Sequence, residues 1–160
     1  MAILTDSGRV AVAEAMMAKP IHLAWGNGDV AWDDAPVPEA PWVSSLVAEV
    51  GRRKVTQAIY CLPDPEGEIV VTEGRFKISS EPTKYIYLRF AFEFADAADQ
   101  TIRELGVFVG TVAVSSVPTG QDYITPAEID NPGRLLVLEN TTRLVRSPQI
   151  RQQFEFVVQF

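Results

Sequence analysis

Tyr85-Ile86-Tyr87-Leu88-Arg89-Phe90-Ala91-Phe92-Glu93-Phe94 is the stretch that decides the fold. Ile86, Leu88, Phe90, Phe92 and Phe94 recur at every second position, with Tyr85, Tyr87, Arg89 and Glu93 between them. A period of two is that of a β-strand, whose successive side chains point to opposite faces. A core sheet therefore passes through this stretch. It is also the most apolar part of the chain, but Arg89 and Glu93 break it, and it falls well short of the roughly 20 apolar residues that span a bilayer.

Working outward, the same alternation marks other strands. Ile102–Val109 follows the small polar connection 95–101 and is expected to neighbour the deciding stretch as an antiparallel pair. Arg52–Leu62 is rich in Val, Ile, Tyr and Thr and stops at the turn residues Pro63-Asp64-Pro65-Glu66-Gly67. Shorter strands are predicted at Ile69–Val71, Arg75–Ser79 and Leu135–Glu139. Near the C-terminal end Phe154, Phe156, Val158 and Phe160 alternate with polar residues, which ties that end into a sheet. Phe90, Phe92 and Phe156 are predicted core. Residues 115–133 read as loop with one helical turn at Pro126–Ile129.

One helix is expected. Thr5 or Asp6 can cap a segment that runs to Lys19 and is stopped by Pro20, and Val10, Ala13 and Met17 fall on one face at helical spacing. The fold class is thus α+β, mainly β, with an N-terminal helix packed on an antiparallel sheet or sandwich. At 160 residues one core suffices, so residues 1–160 are read as a single domain.

Composition narrows the function. The net charge of -7 and a sequence pI near 4.7 oppose binding to a phosphate backbone, which needs clustered Lys and Arg. Nucleic acid is not an expected partner, nor is membrane insertion. The first residues lack a basic leader before an apolar core, so no signal peptide is expected and synthesis in a cytoplasm follows. The single cysteine, Cys61, allows no intrachain disulfide and no thiolate cluster for zinc.

Catalytic chemistry has few candidates. His22 is the only histidine and lies in a predicted strand, Pro20–Trp25, where a structural role is expected. Cys61 paired with His22 would make a small thiol enzyme, but no nucleophile motif surrounds Cys61. Asp29, Asp33, Asp34 and Glu39 lie in one loop at spacings that match no calcium loop. No cofactor or metal is expected. Gly26-Asn27-Gly28-Asp29 lacks a following Gly-Lys-Ser/Thr and reads as a tight turn. In the basic run Arg52-Arg53-Lys54, Arg52 and Lys54 share a strand face, which is expected to pair with carboxylates; a solvated sheet edge and a protein contact both remain open.

The long loop 30–43 holds Pro36, Pro38 and Pro41, which remove backbone donors and forbid regular pairing. Loops of this length are often functional, although one that merely covers a sheet edge is the plainer reading. Trp32 and Trp42 lie within it, large apolar groups that an isolated chain would leave partly exposed. Trp32, Trp42, Pro36 and Pro38 are the protein-interface candidates.

Three blocks in order carry a resemblance. Leu4-Thr5-Asp6-Ser7-Gly8 precedes an Ala-rich helix. Ile21 through Ala24-Trp25-Gly26-Asn27-Gly28-Asp29 leads into the proline loop, then Leu46-Val47-Ala48-Glu49-Val50 and Arg52-Arg53-Lys54-Val55. Ile102-Arg103-Glu104-Leu105-Gly106-Val107-Phe108 is the most specific. Together they resemble the N-terminal attachment domain of tail-fibre and baseplate proteins of contractile-tailed temperate bacteriophages, over roughly residues 1–110, with 111–160 taken as C-terminal strands of the same domain. The resemblance implies a non-catalytic virion tail component that docks on the baseplate or tail tip and attaches or positions the receptor-binding tail fibre. Its implied partners are other tail or baseplate proteins and the fibre, and a homotrimer is compatible with it. The family's long fibrous shaft is absent, which favours a free-standing adaptor. A β-sandwich module binding carbohydrate or peptide through Trp25, Trp32 and Trp42 is the alternative.

Overall fold

A computed structural model describes residues 1–160. Its elements are the helix α1 (Asp6–Met17) and the strands β1 (Ile21–Gly26), β2 (Glu49–Lys54), β3 (Gln57–Pro63), β4 (Ile69–Val71), β5 (Gly74–Ile78), β6 (Tyr85–Phe92), β7 (Thr101–Val109), β8 (Val112–Ala113), β9 (Tyr123–Ile124), β10 (Ile129–Asn131), β11 (Arg134–Val145) and β12 (Gln152–Gln159). The fold is α+β and mainly β. The chain divides into two compact units, residues 1–19, 55–90 and 153–160 in the first, and 20–54 and 91–152 in the second.

In the first unit the strand order is β12-β6-β3-β5-β4. Cys61, Ile69, Phe76 and Tyr87 form a buried cluster, flanked by Ile59, Val71, Tyr85 and Val157. Phe90 meets Phe156 edge-on at 6.2 Å between ring centroids. Phe90 is buried and Phe156 half-buried. Helix α1 starts where the sequence places its cap: the Thr5 hydroxyl accepts from the Gly8 N–H at 3.2 Å. Its Ala13 is buried, with Val10 and Met17 half-buried beside it. The Lys84 ammonium reaches Asp6 in the first turn at 2.7 Å.

In the second unit the order is β11-β7-β1-β2-β9, and a separate two-stranded sheet joins β8 and β10. The central strand β1 pairs antiparallel with β2 and with β7. The Trp25 ring stacks on Phe92 at 3.6 Å, and its indole N–H donates to the Tyr123 hydroxyl at 3.1 Å. Ala24, Leu46 and Phe108 form a second cluster with Leu135 and Leu138.

Five expectations change. Residues 115–133 are not all loop: besides the turn Pro126–Glu128 they hold the short strands β9 and β10. Arg52–Leu62 is two strands, β2 and β3, interrupted at 55–56, where the chain passes from one unit to the other. β6 and β7 are not neighbours: β6 lies between β12 and β3, and β7 between β11 and β1. Strand β6 ends at Phe92, leaving Phe94 43% exposed beneath the Arg151 guanidinium. Leu135–Glu139 is only part of the twelve-residue β11.

Candidate functional site

Strands β1 and β7 set the site because Gly26 lies opposite Glu104 and Trp25 opposite Leu105. Glu104 is buried, and its carboxylate accepts from backbone N–H groups on both ends of the long loop. Val47 and Ala48 donate at 2.8 and 2.7 Å and Gly28 at 3.3 Å. Gly26 permits this approach, since a Cβ there would strike the Glu104 carboxylate and lie 2.7 Å from the Ala48 carbonyl oxygen.

The preceding residue holds the loop a second time. Arg103 clasps Asp33 through Nε at 2.6 Å and Nη2 at 3.1 Å, and its Nη1 donates to the Asn27 carbonyl at 3.0 Å. The fork geometry of a guanidinium matches a carboxylate in this way. The Arg103 bond holds the Asp33 carboxyl below its ordinary range and raises Arg103 in turn. Asp29 caps the 3-10 turn Val30–Asp33 by accepting from the Ala31 N–H at 2.9 Å. Gly28 adopts φ +56 directly under the Trp32 ring, where any side chain would collide with the indole.

Buried cations continue the pattern beyond the loop. Arg52 makes a two-bond contact to Glu49 at 2.7 and 2.9 Å, donates to the Thr111 hydroxyl and the Pro132 carbonyl, and lies 4.0 Å over the Phe108 ring. The expected pairing with a carboxylate holds, but the side chain is buried and the solvated edge is ruled out for it. Arg53 pairs with Asp96 at 2.7 Å. Arg146, which the sequence did not single out, is buried with its guanidinium on the carbonyls of Glu93 and Ile150 and 5.1 Å over the Trp25 ring.

The loop so anchored borders an apolar groove of about 510 Å³ lined by Trp32, Val37, Pro38, Pro41, Trp42, Val47 and Leu138, among others. Across it, the Asn140 N–H donates to Glu39 Oε1 and its side-chain amide to the Val37 carbonyl, both at 2.8 Å. Trp42 is 83% exposed. Trp32 corrects the expectation of partial exposure: at 8% it is buried, because its ring covers Gly28. Pro36 is half-buried and Pro38 exposed. The groove thus brings together Trp32, Trp42 and Pro38, with Pro36 outside its lining.

The other candidates are taken up differently. Burial lowers the His22 pKa to about 4, helped by the Arg52 and Lys54 charges, and its Nδ1 has no hydrogen-bond partner. It is neutral near pH 7. Burial pushes the Cys61 thiol up to about 11, away from the thiolate that a nucleophile needs. Asp29, Asp33 and Glu39 are each engaged in holding the loop, and no three acidic, His or Cys side chains gather into a metal-sized cluster. No helix is long and apolar enough to cross a membrane.

Buried charges that tie down a loop serve a structural end. The family model described as "Baseplate wedge 3 tail fiber network component" matches residues 1–160, and the chain belongs to that family. No curated protein sequence matches it. The match extends through residues 111–160, the part that the sequence blocks left without a counterpart. Membership makes the chain a structural protein of the phage baseplate and its tail-fibre network, and so a virion tail component that meets other chains of that assembly.

Proposed function

We propose that this protein attaches or positions the receptor-binding tail fibre at the baseplate, and that the loop 30–43 with its groove is the surface through which it docks. It does so as a binding scaffold, without catalysing a reaction. The observation that carries this reading is Trp42, 83% exposed at the rim of an apolar groove whose walls are already fixed. An indole left in water beside an apolar groove is the kind of residue that anchors protein interfaces. The Arg103 and Glu104 anchors and the three prolines restrict the loop before docking, so little conformational entropy remains to be lost on binding.

Roles follow for the four interface candidates. Trp42 enters the partner, Trp32 forms the groove floor, Pro38 supplies its wall, and Pro36 stiffens the approach. Contact through this loop is compatible with a homotrimer or with repeated copies around a symmetric baseplate. The test is Trp42→Ala supplied in place of the native chain during phage assembly. The folded variant is expected to be depleted from particles; incorporation at the native level would reject the loop as the docking surface.

A further inference from the structure

From residue 20 to residue 51 the chain contains no Lys or Arg, yet it carries five acids, Asp29, Asp33, Asp34, Glu39 and Glu49. The docking loop lies inside this stretch. Asp33 and Glu49 are neutralised by the buried guanidinium groups of Arg103 and Arg52. The other cation whose charge reaches the loop, Arg143, also acts on Asp33. Asp34 and Glu39 are exposed and form no ion pair.

The groove repeats the pattern on its inner side. Its lining holds two carboxylates, Glu39 and Glu104, and no Lys, Arg or His. Glu104 accepts only from backbone N–H groups, and Glu39 accepts the Asn140 N–H. Negative charges set in an apolar wall keep their field, because low-dielectric surroundings screen it less than water and a cleft focuses it. Trp42 stands beside them. It follows Pro41 at the tip of a turn closed by the Val43 N–H donating to the Ala40 carbonyl at 3.1 Å, and Glu39 immediately precedes that turn. An exposed indole face attracts a cation as well as apolar surface.

We propose that the groove receives a segment of another tail or baseplate chain in which an apolar side chain, seated against Trp42, is flanked by a Lys or Arg that pairs with Glu39. The inference rests on the docking reading of the loop and names the chemistry of its partner. A second copy of this chain is a poor occupant: it carries the same net charge of -7, and like charge opposes its approach.

The test is complementation of tail-assembly extracts lacking this chain with the purified full chain, at about 0.1 M and about 1 M salt, between which the screening length falls from about 10 to about 3 Å. Uptake of the native chain into particles is expected to drop at high salt. Glu39→Gln removes the charge but keeps an oxygen for the Asn140 N–H, so it separates charge from loop geometry. Its uptake at low salt should fall about fivefold and lose most of its salt dependence. Glu39→Lys should fall further, by about tenfold or more, since a like charge then faces the partner's cation. Thermal unfolding checks that both variants fold. Native uptake that is indifferent to salt, or promoted by it, overturns the proposal. So does Glu39→Gln uptake equal to native at both salts, even with Glu39→Lys excluded, because loop geometry then accounts for the loss. Sedimentation of the purified chain adds one more arm: self-association that weakens with salt and with Glu39→Gln makes the occupant a second copy, which also overturns the proposal. Any of these results with Trp42→Ala still depleted from particles removes the basic partner and leaves the docking reading standing. The reverse outcome, normal incorporation of Trp42→Ala with Glu39→Gln uptake lost, keeps the basic partner and rejects Trp42 as its anchor.

Discussion

Glu104 is held by three backbone N–H groups, from Gly28, Val47 and Ala48, and not by a cation. Removing the carboxylate leaves buried donors without an acceptor, which costs more than the bonds themselves contribute. Glu104→Ala is therefore expected to lower unfolding stability by about 3 to 5 kcal/mol. Glu104→Gln keeps one accepting oxygen and should lose less; equal losses in denaturant titrations would show that packing, not acceptance, matters. Arg103 and Glu104 are neighbours on one strand and so take opposite faces; Arg103 pairs with Asp33, and both side chains are buried. Alternation tells which face a side chain takes but not what covers that face, and here the cover is a loop distant in sequence. His22 yields a prediction in pH. Its folded pKa, lowered to about 4, lies below the ordinary 6.5. As pH falls through 6.5 the unfolded chain gains a proton that the folded chain refuses until about pH 4, so stability is lost across that window. The full difference corresponds to about 3 kcal/mol. His22→Gln should flatten the fall between pH 7 and 4.5 relative to the native chain; parallel curves would remove His22 as its cause.

Strand β6 shows how far periodicity reaches at the scale of elements. Ile86, Leu88, Phe90 and Phe92 are all buried, as their spacing requires. Phe94 continues the pattern in sequence but is exposed, because the strand has ended. Phe92 is fully buried against the Trp25 ring. Phe92→Ala should cost about 3 to 5 kcal/mol, and a loss below about 1 kcal/mol in reversible unfolding would contradict its place in the core. Strand identity was more legible than strand partnership. Nothing in Ile102–Val109 says that its neighbours are β1 and β11, since pairing over long sequence separations is decided by the whole chain. The split of Arg52–Leu62 was hidden for a related reason: Val55 and Thr56 are good strand formers, and propensity alone does not reveal where the chain leaves one sheet for another.

For the whole molecule, the path of the chain matters as much as its elements. It passes between the two units four times, at 19/20, 54/55, 90/91 and 152/153. The second and third sequence blocks meet in one unit: the glycine turn, the Leu46–Val50 segment and the Arg103-Glu104 pair are parts of a single loop anchor. Their joint recurrence in order was readable from the sequence, and its physical reason is that each part has the others as partners. The candidate site was legible only in part. A proline loop with two tryptophans marked the region, but its walls include β11, and the sequence did not reveal that Trp32 is buried while Trp42 is exposed. This difference decides the experiment, because replacing Trp32 would also remove core packing. Trp42, exposed, can be replaced with a stability change expected within about 0.5 kcal/mol. The most direct measurement is the amount of Trp42→Ala protein in purified particles, relative to native chain supplied at the same level, with thermal unfolding confirming that both are folded. The account predicts an unchanged unfolding midpoint with clear depletion of the variant from particles. Equal amounts in particles would contradict it.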